Sequence, residues 1–407
     1  MNVSRMRWAD RWLGIPTCAV LTLFRRLQDP IHSRRPLPLR RILFVKLAEQ
    51  GSTVLAAPAI SQAVEMVGRD NVFFLVFEEN RFILDAMELI PEQNVVTIPT
   101  GSISSAVGGA LRAVRRLRKE HLDAAINLEF FARSSAALSW LSGAPQRVGF
   151  HAFAGEASYR GDLMTHRLSF NPHLHTSQTF YVMVEALNCP PEQLPALALQ
   201  PPLVNHSPPS FKPQAREVGE VNDLLRRVTG RLKVGPLILL NANCSDLLPL
   251  RRWPTANYID LARRLLGRYA EVYVALTGAS EETADGQRLA KEIGSARCFS
   301  LAGRTTLRQL LVLYSVAEVL VTNDSGPAHF ATLTPIDVVT LFGPETPKLF
   351  AAQSPRNHVL WAGVACSPCV NAYNDRQSFC PDNVCMQRIT VDQVCDQVCA
   401  VYERRTR

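Results

Sequence analysis

Short runs of β-branched, aromatic and aliphatic residues alternate along the chain with longer stretches in which apolar positions recur every three or four residues. The short runs at 41–47 (RILFVKL), 71–77 (NVFFLVF), 94–98, 123–129 and 146–150 predict strands. The longer stretches, such as 104–121 (SSAVGGALRAVRRLRKEH), predict helices between them. Strands so continuously apolar are covered on both faces, so parallel sheets flanked by helices are expected.

Prolines 201, 202, 208, 209 and 213 then break all periodicity across 200–214 (QPPLVNHSPPSFKPQ). Beyond them the alternation restarts, with strands at 236–243, 271–278, 297–303, 318–324 and 336–343. Helices are expected at 255–268, 281–293, 306–316 and from 326. The pattern predicts an α/β chain of two Rossmann-like domains whose parallel sheets face a central cleft. The expected divisions are an arm at 1–40, an N-terminal domain at 41–200, a linker at 201–215 and a C-terminal domain at 216–407. No G-x-G-x-x-G follows a strand, which removes the main signal for a dinucleotide cofactor.

Charge changes the picture only at the arm. The chain of 407 residues carries a formal charge of +8, and residues 1–46 account for all of it, so a nucleic-acid-binding surface is not indicated. Within the arm, Trp12 to Phe24 is mostly apolar and bounded by arginines. It is too short to span a bilayer, which takes about 20 residues. Pro16 suits a first helical turn, and Val20, Leu23, Phe24 and Leu27 then share one face. Two placements fit: a basic helix lying in the membrane interface, and a helix docked on the protein's own core. No small-residue cleavage site follows, which argues against a signal peptide. Six of ten cysteines fall in the last 42 residues. Of these, Cys366, Cys369, Cys380 and Cys385 have spacing compatible with zinc, with free thiols equally compatible, and the usage favours a reducing cytoplasm.

Two stretches carry candidate chemistry. In VTNDSGPAHF (321–330) a strand ends at Asn323, Asp324 is placed to cap a helix, and Pro327 occupies its first turn. Amides there, with Ser325, Gly326 and His329, suit phosphate oxygens. In NANCSDLLPLRRWP (241–254) a strand opens into a loop with Ser245, Arg251 and Arg252, the arrangement that clamps a pyrophosphate. Glu281 or Glu282, just past the next strand, is positioned to accept hydrogen bonds from a ribose.

These blocks, together with ILFVKLAEQGSTVLAAPAI, RSSAALSWLSGAPQRVGF, LAGRTTLRQL, LFGPETP and the C-terminal cysteines, resemble glycosyltransferase family 9, the lipopolysaccharide ADP-heptose heptosyltransferases. The resemblance covers roughly 41–395 and leaves the arm outside. It implies a GT-B architecture and inverting sugar transfer to a lipid-linked surface saccharide. It also implies a nucleotide-sugar donor held by Arg251, Glu281, Asp324, Ser325, Gly326 and His329, with no cofactor and no metal required. Lys46 and Gly51 would lie on the acceptor side, and the expected location is the inner face of the cytoplasmic membrane.

One position departs from the family pattern. Where relatives have Gly-Asp, the aspartate acting as base, this chain has Gly51-Ser52. A serine hydroxyl holds its proton too tightly to serve alone. Glu49 stands three residues earlier, and Lys46 nearby would keep its carboxylate charged. Glu49 is therefore the expected base, with Ser52 beside it. The alternatives are a catalytically impaired nucleotide-sugar-binding scaffold and, less favoured, a nucleotide-sugar epimerase.

Overall fold

A computed structural model describes residues 8, 10–28, 38–151, 159–196, 209–244, 248–372 and 377–406; Ser245 and residues 201–208 of the proline-rich stretch lie outside them. The chain forms two compact units, 1–206 and 207–407.

In the first unit, strands β1 (Ile42–Val45), β2 (Val72–Phe77), β3 (Val95–Ile98), β4 (Ala124–Asn127), β5 (Gln146–Phe150) and β6 (His166–Leu168) form one sheet in the order β3-β2-β1-β4-β5-β6. All pairings are parallel. The helices are α1 (Gly14–Gln28), α2 (Gln50–Leu55), α3 (Ala57–Val67), α4 (Arg81–Met87), α5 (Ile103–Lys119), α6 (Arg133–Leu141) and α7 (Thr176–Glu185). The strand order reverses after β3, so right-handed crossovers put α5 and α6 on the face opposite α3 and α4. A capping box between Ser102 and Ser105 starts α5, which buries Gly109, Ala113 and Leu117. Ala113 and Leu117 share an apolar cluster with Leu138 of α6 and with Leu43, Val45 and Leu75 of the sheet.

The arm helix α1 is docked on this unit. Cys18 is fully buried and packs with Ala136, Leu163 and Met164. Thr22 Oγ1 accepts the Asp162 amide at 2.9 Å, and Arg25 Nη2 meets Asp162 Oδ2 at 2.9 Å. Gly161 has φ +68°, and a Cβ there would sit 2.7 Å from the Cys18 carbonyl oxygen, so the close approach requires glycine. Just before α1, Asp10 accepts the amides of Arg133 at 3.1 Å and Ser134 at 2.8 Å, capping α6 from outside its own sequence. Of the two placements expected for the arm, docking is the one found. Val20, Leu23, Phe24 and Leu27 nevertheless remain exposed.

In the second unit, β7 (Leu237–Asn241), β8 (Tyr273–Leu276), β9 (Cys298–Ser300), β10 (Val319–Asn323), β11 (Asp337–Phe342) and β12 (Asn357–Trp361) are ordered β9-β8-β7-β10-β11-β12, again all parallel. Its main helices are α8 (Ala215–Thr229), α9 (Thr255–Arg268), α10 (Thr283–Ile293), α11 (Leu307–Val316), α12 (Gly326–Ala331) and α13 (Val391–Thr406). Trp253 and Tyr258 anchor the core edge to face, 4.9 Å between ring centroids. Trp253 is fully buried, and its indole Nε1 donates to the Ile389 carbonyl at 2.9 Å.

Candidate functional site

In each sheet the strand order reverses between two central neighbours, β1/β4 and β7/β10. Ligands of open α/β sheets bind beyond the carboxyl ends of such a pair. Beyond β1 stand Lys46 and Glu49, and beyond β10 stand Asp324, Ser325 and Gly326.

Beyond β1, Lys46 is fully buried. Its Nζ lies 3.8 Å from Glu49 Oε2 and 3.5 Å from Glu129 Oε2. A fully desolvated ammonium is tolerated only with anionic partners, and two carboxylates supply them. Glu129 follows β4, and its Oε1 accepts the amides of Leu47 at 2.8 Å and Ala48 at 3.0 Å. It therefore fixes both the cation and the loop backbone leading to Glu49. Local sequence reading missed Glu129, because it reaches the site only through the β1–β4 pairing.

Glu49 has φ 67° and ψ 80°, a left-handed conformation that costs a non-glycine residue about 1–3 kcal/mol. Such strain concentrates at functional sites. The turn thus bends at Glu49, and Gly51 lies inside α2. Ser52 Oγ lies 3.0 Å from the Glu49 carbonyl oxygen and 3.2 Å from Glu49 Oε2, with one proton to donate. Lys46, Glu49, Ser52 and Glu129 thus form one polar constellation, in which Glu49 alone is substantially open to solvent.

Beyond β10, the cap differs from expectation. Ser325, with φ −156°, is the N-cap of α12, and Asp324 is buried one residue earlier. Ser325 Oγ donates to the Asn323 carbonyl at 3.1 Å and approaches Thr322 Oγ1 at 3.3 Å. A Cβ on Gly326 would lie 3.1 Å from the Phe330 ring, so the turn is tight. His329 is buried one turn on. With six residues, α12 carries only a small dipole, so an anion here depends chiefly on local amides and on cations from β7.

Those cations stand on the 249–252 loop. Arg251 Nη1 reaches Glu345 Oε2 at 3.5 Å, with Glu345 almost wholly buried. Asn323, fully buried, ties the loop to β10: its Oδ1 accepts the Trp253 amide at 3.0 Å and its Nδ2 donates to the Asn243 carbonyl at 3.2 Å. Beside the loop, Asn243, Arg252, Thr255, Thr277, Asp285 and Arg288 line a recess at the ends of β7 and β8. Glu281 is not part of that lining; it is exposed and accepts from Ser280 Oγ at 3.1 Å. Glu282 is a capping residue, its Oε2 accepting the Ala279 amide at 2.7 Å.

The cysteine-rich segment braces this loop. Asn383 Nδ2 donates to the carbonyls of Leu250 at 3.1 Å and Arg252 at 2.8 Å, and the Cys369 amide donates to the Pro344 carbonyl at 3.0 Å. A Cβ on Gly343 would fall 2.3 Å from Met386 Sδ. Cys385 is buried, which raises its thiol pKa, and the nearby thiols of Cys369, Cys380 and Cys366 add to this. Among the described residues no three His, Cys, Asp or Glu side chains are grouped to hold a metal ion.

Comparisons with known proteins bear on the same regions. The family model described as glycosyltransferase family 9 (heptosyltransferase) matches residues 110–379. Lipopolysaccharide heptosyltransferase 2 of Salmonella typhimurium is 34% identical over 102 residues, 24% of this chain and 29% of that protein. The chain thus spans less than a third of this curated relative in alignment. Among solved structures, Escherichia coli ADP-heptose lps heptosyltransferase II superposes with TM-score 0.68 at 19% identity, covering 90% of this chain and 100% of the other. A family 9 glycosyl transferase from Veillonella parvula gives 0.70 at 17% identity, covering 91% and 100%. At such identity the superpositions establish the fold, the GT-B arrangement of two Rossmann-like units.

Proposed function

The chain belongs to glycosyltransferase family 9, the heptosyltransferase family, and from that premise we propose that it is an inverting glycosyltransferase. It moves a heptose or related sugar from a nucleotide-diphosphate donor, ADP-linked, onto a lipopolysaccharide core or similar lipid-linked saccharide. The observation that carries the reading is the constellation beyond β1, where an open carboxylate stands on a buried cation beside the serine that replaces the family's aspartate.

In this mechanism Glu49 takes the proton of an acceptor hydroxyl as that oxygen attacks the anomeric carbon. The bond from that carbon to the diphosphate oxygen breaks on the opposite face, and the nucleoside diphosphate departs. Lys46 and Ser52 both meet Glu49 at Oε2 and orient it. The negative charge growing on the leaving diphosphate is met by Arg251 and by the amides around Ser325 and Gly326. Asp324 and His329 shape that turn, and the recess beside Arg252 receives the nucleoside. The acceptor is carried by lipid, so the enzyme works at the inner face of the cytoplasmic membrane, with the exposed stripe of α1 as its contact.

The test is transfer from ADP-heptose to a heptose-deficient lipopolysaccharide core, with Glu49→Gln beside the wild type. The variant is expected to lose at least about 100-fold in kcat, the lower end for a missing general base, with ADP affinity unchanged. Undiminished turnover in Glu49→Gln would remove Glu49 from the mechanism. A wild type that binds ADP yet transfers no sugar to any core acceptor would favour the scaffold.

A further inference from the structure

Among the described residues of the first unit, exposed large apolar side chains form two groups. One is α1, where Val20, Leu23, Phe24 and Leu27 are 51–62% exposed, preceded by Trp8 and Trp12. The other is α5, where Ile103, Val107 and Leu111, spaced four apart on one side of the helix, are 45–55% exposed. The α5 stripe is not accounted for by the core, which takes Gly109, Ala113 and Leu117 on the other side.

Charge accompanies both. No acidic residue occurs in α1 or in α5. Exposed Arg112, Arg115 and Lys119 continue the outer side of α5 past Leu111, and exposed Arg11 and Arg26 flank the α1 stripe. The two helices also pack against the same helix. Their common neighbour is α6, which packs Leu138 with Ala113 and Leu117 of α5 and Ala136 with Cys18 of α1.

We propose that α5 is a second membrane contact, forming with α1 one two-helix surface that sits on an anionic lipid interface. The proposal rests on the membrane reading of the arm and extends it to a helix of the sugar-transferase fold itself. An amphipathic helix with apolar residues beside arginines and lysines is suited to the boundary between headgroups and acyl chains. Tryptophans at one end belong to that depth as well. Both helices are fixed to the unit that holds Glu49, so two contacts would set its orientation to the bilayer, where one helix alone would leave a free rotation.

The experiment is sedimentation of the full chain with vesicles of phosphatidylcholine, alone and mixed with phosphatidylglycerol. Three variants are compared after a melt to confirm folding: Arg112→Gln/Arg115→Gln/Lys119→Gln, Val107→Ser/Leu111→Ser, and Leu23→Ser/Phe24→Ser in the arm. At about 1 kcal/mol per basic residue near an anionic surface, the charge variant should lose on the order of 100-fold in partitioning to the mixed vesicles. The α5 apolar variant should lose binding to both vesicle types. If both α5 variants bind as the wild type while the arm variant does not, the α5 contact is wrong and the arm reading survives. If none of the three changes binding, both fall, and these stripes belong to a protein partner.

Discussion

At the scale of single residues, the site depends on a cation that has left water altogether. Breaking a buried ion pair by removing one partner typically costs about 3–5 kcal/mol, because the other charge is stranded. Lys46 has two partners, but Glu129 and Glu49 are not equivalent: Glu129 also holds the Leu47 and Ala48 amides, whereas Glu49 meets Ser52 and is the more exposed of the two. Glu129 is therefore a positioning residue. Glu129→Gln keeps an oxygen for the two amides but loses the charge, and is expected to lower kcat about tenfold, less than the roughly 100-fold minimum for losing the base itself, with donor KM unchanged. Glu129→Ala should lose more and melt earlier. Steady-state kinetics on both variants decide this; a donor KM that rises with kcat intact would place Glu129 in ground-state binding instead. The sequence made Lys46, Glu49 and Ser52 legible because they lie within one turn. Glu129 and Asn323 were not, since each acts through a strand neighbour distant along the chain, and only the sheet order brings them in.

At the scale of elements, the arm helix is docked on one side and keeps an apolar stripe exposed on the other. Its apolar periodicity could not separate the two expected placements, because α1 buries Cys18, Thr22 and Arg25 on one side while Val20, Leu23, Phe24 and Leu27 stay exposed. What settles docking lies elsewhere: the left-handed Gly161 and the Asp162 carboxylate, neither of which any local pattern connects to residue 18. The predicted strands were found for the same reason that made them readable, near-continuous apolar runs buried on both faces. β6 and β12 escaped because they are short or half-buried edge strands with mixed polarity. If Gly161 is the seat of α1, then Gly161→Ala forces a Cβ against Cys18 and Thr22 and should loosen the helix. Limited trypsin digestion is then expected to cut at Arg25, which is buried in the native protein, several-fold faster than in the wild type. An unchanged cleavage rate would mean that α1 is held by other contacts.

At the scale of the whole molecule, each unit contributes groups with shifted pKa to the chain's response to acid. In the first, burial lowers the pKa of His166 below 6.5; Arg147 lowers it further, while a hydrogen bond with the Cys189 backbone and the charge of Glu192 oppose this. His151 is lowered too, by burial and then by Arg167. In the second unit burial would raise the pKa of Asp337, but hydrogen bonds from His358 and Arg405 prevail and hold it below 3.8. The sign is the same for all three, because each native group binds fewer protons than its unfolded counterpart. Their stabilisation is complete above the unfolded pKa and is lost as pH falls toward the folded one. The windows differ: the histidines act below about 6.5 and Asp337 only below about 4. Between pH 6.5 and 5 the melting temperature should therefore fall with a slope that His166→Gln reduces and Asp337→Asn leaves unchanged. His151 keeps the reduced slope from vanishing. Differential scanning calorimetry at half-unit steps of pH reads this directly, and a slope in His166→Gln equal to that of the wild type would show that His166 is protonated without cost in the folded protein.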